Sequence, residues 1–127
     1  MKLEDVRRWV EQMRKLHEDN VPYLVIDGKY YTPNDILREA EANSPLWKKM
    51  QEQLGDPPLK LSWSLLEKRI EERVKQGRVP KIYKMGREIT PEQQLEAIRK
   101  KTIDGYTILL AEAKLLEELE KRRKQNL

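Results

Sequence analysis

The sequence predicts a mainly α-helical chain of the α+β class: a tandem degenerate repeat of helix–β-hairpin–helix–turn–helix, with a long amphipathic helix at its C-terminal end. Three observations carry this. The 17 residues from Val21 to Leu37 recur, without a gap, 58 positions later as Val79 to Leu95. A stripe of apolar residues at helical spacing precedes each copy. A Thr-Pro pair follows each hairpin and has the chemistry of a helix start.

The first helix is read from Leu3, Val6, Val10, Met13 and Leu16, spaced 3, 4, 3 and 3, which places them on one face. Asp27-Gly28 then lies between two apolar-rich runs, a hairpin signal because glycine tolerates positive φ. A two-residue turn sets Leu24 opposite Tyr31. Thr32 is a good N-cap, Pro33 suits the first helical position, and Asp35 supplies an acceptor three residues after the cap. A short helix over about 33–42 follows, and Asn43-Ser44-Pro45 turns the chain into another.

The second half repeats the plan. Trp63, Leu66, Ile70 and Val74 form a helical stripe, stopped by Gly77 and Pro80. Six of the 17 aligned positions are identical: Val21/Val79, Pro22/Pro80, Gly28/Gly86, Thr32/Thr90, Pro33/Pro91 and Leu37/Leu95. Average residue usage gives roughly one. Ile82 is expected opposite Ile89, and Thr90-Pro91 with Gln93 to cap a helix over about 91–101. Met85-Gly86 is a poorer type I′ turn, since Met would need positive φ, which leaves a longer or different turn open there. Asp104-Gly105 is read as the turn before the last helix, about 106–124. Its apolar face holds Ile108, Leu109, Leu115, Leu116 and Leu119. Glu117/Lys121, Glu118/Arg122 and Glu120/Lys124 are pairs in the favourable order. The whole is expected to be one domain over 1–127, its pseudo-repeats at about 1–56 and 61–127 joined by a Pro-rich break at 55–60.

Composition narrows the function. Hydrophobic and charged residues each make up 38% of the 127 residues, Phe is absent, and mean hydropathy is −0.88. A core must come from aliphatic residues, three Trp and five Tyr, thin enough that burial against a partner would help. No run reaches the roughly 18 apolar residues of a membrane span, and the start lacks the apolar run of a signal peptide. Without cysteine there are no disulfides or thiolate chemistry. The single histidine cannot build a His-based metal cluster. These features point to a cytoplasmic chain, or one within a particle assembled there, with no membrane, metal or cofactor.

Residues 1–60 carry 10 Lys/Arg and 11 Asp/Glu, net −1, whereas residues 61–127 carry 16 and 11, net +5. The basic character concentrates in Arg73, Lys75, Arg78, Lys81, Lys84 and Arg87, a stretch without one acid. Lys84 and Arg87 would sit opposed across the hairpin, an unfavourable pair that a bound anion would relieve. With Tyr83 nearby, this segment is the candidate nucleic-acid or anion contact; its bland alternative is a solvated face. Lys121 to Lys124 could add to it. The helix pairs also suggest helix–turn–helix, but Leu46-Trp47 and Tyr106-Thr107-Ile108 read as packing residues, not base readers. Trp9, Trp47, Leu109, Leu116 and Leu119 are candidate interface anchors, or equally core fillers. His17, beside Glu18 and Asp19, has no nucleophile motif, and Asp27 is accounted for by its turn. No phosphate-loop, dinucleotide, zincin or nucleophile-elbow pattern occurs.

The expected function is therefore non-enzymatic: an interaction or assembly protein, a small subunit or adaptor of a larger complex such as a phage-like or other multi-subunit particle, with a protein partner or self-association. The alternative is a nucleic-acid-binding accessory protein using residues 73–87.

Overall fold

The structure, a computed structural model, describes residues 1–54 and 61–125; the Pro-rich break at 55–60 lies outside the described residues. The chain runs α1 (Leu3–Lys15), β1 (Leu24–Ile26), β2 (Lys29–Tyr31), α2 (Pro33–Ala42), α3 (Pro45–Leu54), α4 (Trp63–Lys75), β3 (Ile82–Lys84), β4 (Arg87–Ile89), α5 (Pro91–Lys100) and α6 (Ile103–Gln125). It is mainly helical, with two small antiparallel hairpins that form separate sheets. None of the described helices is long and apolar enough to cross a membrane.

Local chemistry fixes both hairpins and both following helices in the same way. Leu24 pairs with Tyr31 and Ile82 with Ile89, as expected. Asp27 and Gly28 have φ of 51° and 76°; Met85 and Gly86 have 52° and 79°. Both turns thus place two central residues in the left-handed region, as a type I′ turn requires. The alternative of a different second turn is thereby excluded: the strand register overrides the unfavourable φ at Met85, a strain of about 1–2 kcal/mol. Thr32 Oγ1 accepts from the Asp35 amide at 3.2 Å and the Asp35 carboxylate accepts from the Thr32 amide at 2.9 Å. Thr90 and Gln93 make the same reciprocal box at 3.1 and 2.9 Å. Such a cap stabilises a helix by about 1 kcal/mol. Both helices end on a left-handed residue, Asn43 at φ 48° and Lys101 at φ 53°.

The turn expected at Asp104-Gly105 lies earlier. Lys101 makes it, the Gly105 amide donates to Thr102 Oγ1 at 3.3 Å, and α6 already runs from Ile103. Gly105 is instead the point where α6 crosses α5. A Cβ there would overlap the Ala97 carbonyl, so the close approach needs glycine.

The larger core cluster joins α1 (Val6, Trp9, Val10, Met13), β1 with Tyr23, α2 (Ile36, Ala40), α3 (Trp47, Met50, Leu54) and the distal part of α6 (Leu116, Leu119). Each such side chain contributes roughly 1.5–3 kcal/mol by leaving water. Trp9, Trp47, Leu116 and Leu119, candidate interface anchors by sequence, are thereby core residues, each 5% exposed or less, with the Trp9 ring edge-on to Tyr23 at 5.2 Å. A smaller cluster holds Leu66, Ile70, Ile98 and Ile108, with Leu109 half-buried against it. On α6, Glu118 pairs with Lys121 at 3.5 Å and Glu120 with Arg123 at 2.7 Å. Both are i,i+3 pairs, in place of the expected Glu117/Lys121 and Glu120/Lys124. Glu120 turns inward because the buried Tyr23 hydroxyl donates to it, and Arg123 also donates to the Leu54 carbonyl.

Candidate interaction surface

The basic segment divides into side chains turned inward and side chains left outside. Arg73 is buried and cannot reach a phosphate, which corrects its place among the candidate anion contacts. Counted from the helix starts, Arg69 and Arg73 of α4 hold the positions that Trp9 and Met13 hold on α1. Both guanidinium groups meet Glu18, in the loop after α1, and Glu112 of α6. Arg69 donates to Glu112 at 2.8 Å, to Glu18 at 2.8 Å and to the Pro22 carbonyl at 2.7 Å. Arg73 donates to Glu112 and Glu18, each at 2.7 Å. All four residues are 6% exposed or less. Burial would raise the Glu112 carboxyl, but the hydrogen bonds and charges of Arg73 and Arg69 win and hold it below its ordinary value. The Arg73 guanidinium is desolvated, yet its two carboxylates push its pKa up. These charges are satisfied by one another, so the cluster is a structural clamp between distant segments.

Of the rest, Arg78 donates to the His17 carbonyl and to Gln76, and Lys75 lies 4.0 Å from Glu72. Lys84 and Arg87 do sit opposed, but the relief comes from Asp104 at the start of α6, 3.2 Å from Lys84. Among the described residues, Lys81 and Arg87 have no ion-pair partner, so two cations of the six stand uncommitted on the surface. His17 occupies the left-handed position after α1, at φ 58°, a backbone role. No group of three or more His, Cys, Asp or Glu among the described residues is placed to hold a metal ion.

The second hairpin stands open. Tyr83, Lys84, Met85, Arg87 and Glu88 are all exposed, Met85 by 94%. Beneath it lies Gln94, at the position of Ile36 in the first half. Its side-chain amide donates to the Pro80 carbonyl at 3.2 Å and the Ile89 carbonyl at 3.3 Å, while its buried Oε1 has no hydrogen-bond partner among the described residues. A concavity of about 600 Å³ runs between hairpin and α6, with Met85, Arg87, Glu88, Ile89 and Asp104 in its walls.

Beside it, the first turns of α6 present Ile103 (83% exposed), Tyr106 (52%) and Leu110 (69%). Spacings of 3 and 4 put them on one helix face, opposite the face of Ile108, Glu112, Leu116 and Leu119. The Tyr106 ring meets Trp63 edge-on at 5.0 Å, and Lys101 lies 5.8 Å over the same indole. Sequence reasoning missed this stripe by taking Tyr106 and its neighbours as packing residues. The available signal was a helix with apolar residues on two opposite faces, only one of which a core can cover.

Comparison with protein-family models, with curated proteins and with solved structures finds no match for this chain.

Proposed function

We propose that this chain is a non-enzymatic interaction module, a small subunit or adaptor of a larger protein complex, built from two degenerate copies of one unit that have taken different tasks. The first copy, with its filled core, is the scaffold. The second carries the contact surface. One observation supports this above the others: Ile103, Tyr106 and Leu110 are exposed on α6, whereas the aligned positions of α3 are Pro45, Lys48 and Glu52. An exposed apolar stripe on a charged chain marks an interaction site, and its aromatic member is already braced against Trp63. The equal strand registers, turns and caps at an offset of 58 support the duplication.

The test is photo-crosslinking in the cells that make the protein, with a photoreactive residue in place of Leu110 or, as control, of Lys48. A discrete protein adduct from position 110 and none from 48 is expected. A nuclease-sensitive adduct would favour the nucleic-acid alternative, and no adduct from either position would reject the reading.

A further inference from the structure

We infer that the α6 stripe receives an acidic amphipathic helix from a different protein; this rests on the interaction reading above and specifies the partner's chemistry. The distribution of charge around the apolar residues selects that partner. Ile103, Tyr106 and Leu110 are bracketed by Lys101 before the helix and Lys114 one turn beyond Leu110. Lys101 is held over Trp63, whose ring also carries Tyr106, so this cation is fixed at the edge of the stripe. Lys114 is exposed and has no ion-pair partner among the described residues.

The carboxylates of the same stretch are committed elsewhere. Asp104 faces Lys84 at 3.2 Å. Glu112 is buried on the opposite face, between Arg69 and Arg73. The first exposed carboxylate on the stripe's own face, Glu117, lies beyond Lys114. An apolar strip with a cation at either end complements a helix that carries apolar anchors at i, i+3 or i+4, and i+7 and Asp or Glu near both ends. Ile103 to Lys114 spans about 16 Å at helical rise, with Lys101 in the turn two residues before Ile103, so three to four turns of partner suffice. The concavity walled by Met85 gives that helix a side to rest against.

The same charges disfavour a second copy. Two stripes laid together in parallel set each lysine against its twin. Laid antiparallel, centred between Tyr106 and Thr107, they bring Lys101 of one copy within about a turn of Lys114 of the other. Like charges so placed act against pairing.

The experiment is a display selection on the full chain from a library of amphipathic helices with fixed apolar anchors and flanks randomised among Glu, Lys, Gln and Ser. Helices enriched by the parent chain, and not by a Leu110→Glu variant, are expected to carry Glu at both flanks. Their affinity should fall roughly tenfold or more on Leu110→Glu. It should fall a few-fold on Lys114→Glu or Lys101→Asn, the latter keeping a residue suited to the left-handed turn, and weaken with salt. Unchanged circular dichroism and melting of each variant separate lost contact from lost fold. Enrichment of Lys or neutral flanks would overturn the charge argument and leave the interaction reading standing. So would a dimer by light scattering that Leu110→Glu dissolves, which names the second copy as occupant. A monomer that enriches no helix would overturn the inference, and the crosslinking result then decides the interaction reading independently.

Discussion

The two hairpins share strand length, register, turn geometry and the capping box that follows, yet one is a wall of the core and the other lies in solvent. Leu24 and Ile26 are buried and Tyr23 is fully so; the aligned Lys81 and Lys84 are exposed, and Ile82 is only half-covered. The residues underneath account for the difference. Below the first hairpin lies Ile36 and below the second Gln94, and counted from the helix starts Trp9 and Met13 of α1 match Arg69 and Arg73 of α4. The second half is the more polar inside and the more apolar outside, with Tyr106 and Leu110 at the offset positions where the first half has Lys48 and Glu52. Turn and cap chemistry set the local shape; the identity of the inward-facing residues sets how firmly that shape is held.

The comparison can be broken hardest at the clamp. Arg69→Met leaves two buried carboxylates to one guanidinium and should cost about 3–5 kcal/mol, read as a lower urea midpoint at unchanged slope. Because Glu112 is held below its ordinary 4.5 in the fold, its contribution is present above that value and is lost as pH falls through the lower folded pKa. The parent should therefore show an acid transition that a Glu112→Gln variant, destabilised throughout, lacks in part.

The hairpins themselves come next. Leu24→Ala should cost about 2–5 kcal/mol and Ile82→Ala about 1 kcal/mol. Native-state hydrogen exchange should show amides of the first hairpin opening only with the whole molecule and those of the second opening locally; equal protection would refute the asymmetry. Gly105→Ala forces α6 away from the Ala97 carbonyl and should cost about 1–3 kcal/mol in a thermal melt, whereas Gly28→Ala meets no neighbour and suffers only its positive φ.

Tyr23 gives a fourth test. Burial first, then the neighbouring Glu120, raises its hydroxyl well above 10.0. The stability it contributes is thus complete below pH 10 and is lost as pH rises further. Tyr23→Phe should remove that alkaline decline, at a cost near neutrality of about 1 kcal/mol for the lost hydrogen bond. The smallest expected effect is a gain: Met85→Asn relieves a left-handed methionine and should add about 1 kcal/mol, seen as a slightly higher melting temperature.

What could be read from the sequence was what short-range chemistry dictates. Asp27-Gly28, Thr32-Pro33 and Thr90-Pro91 announce their turns and caps within four residues, and the stripes of α1 and α4 announce their helices. The core anchors and the fate of the basic segment could not be read this way. Whether Arg73 faces a phosphate or a glutamate depends on Glu18 and Glu112, 55 and 39 residues away, and no local pattern couples them. The exposed stripe on α6 fell between the two cases: its spacing was visible, but which of two apolar faces turns outward is decided by α5 and by Gly105.

The Glu18, Arg69, Arg73 and Glu112 cluster also bears on whether the halves of the chain can stand apart. Its two acids come from the loop after the first helix and from the last helix, and its two bases from a helix between them. A chain severed between residues 54 and 61 would leave Glu18 on one fragment and strand Arg69, Arg73 and Glu112 on the other with a surplus positive charge in a dry interior. Buried charge left without its counter-ions is costly, so the halves expressed separately are expected to lose helicity by circular dichroism and to recover it on mixing.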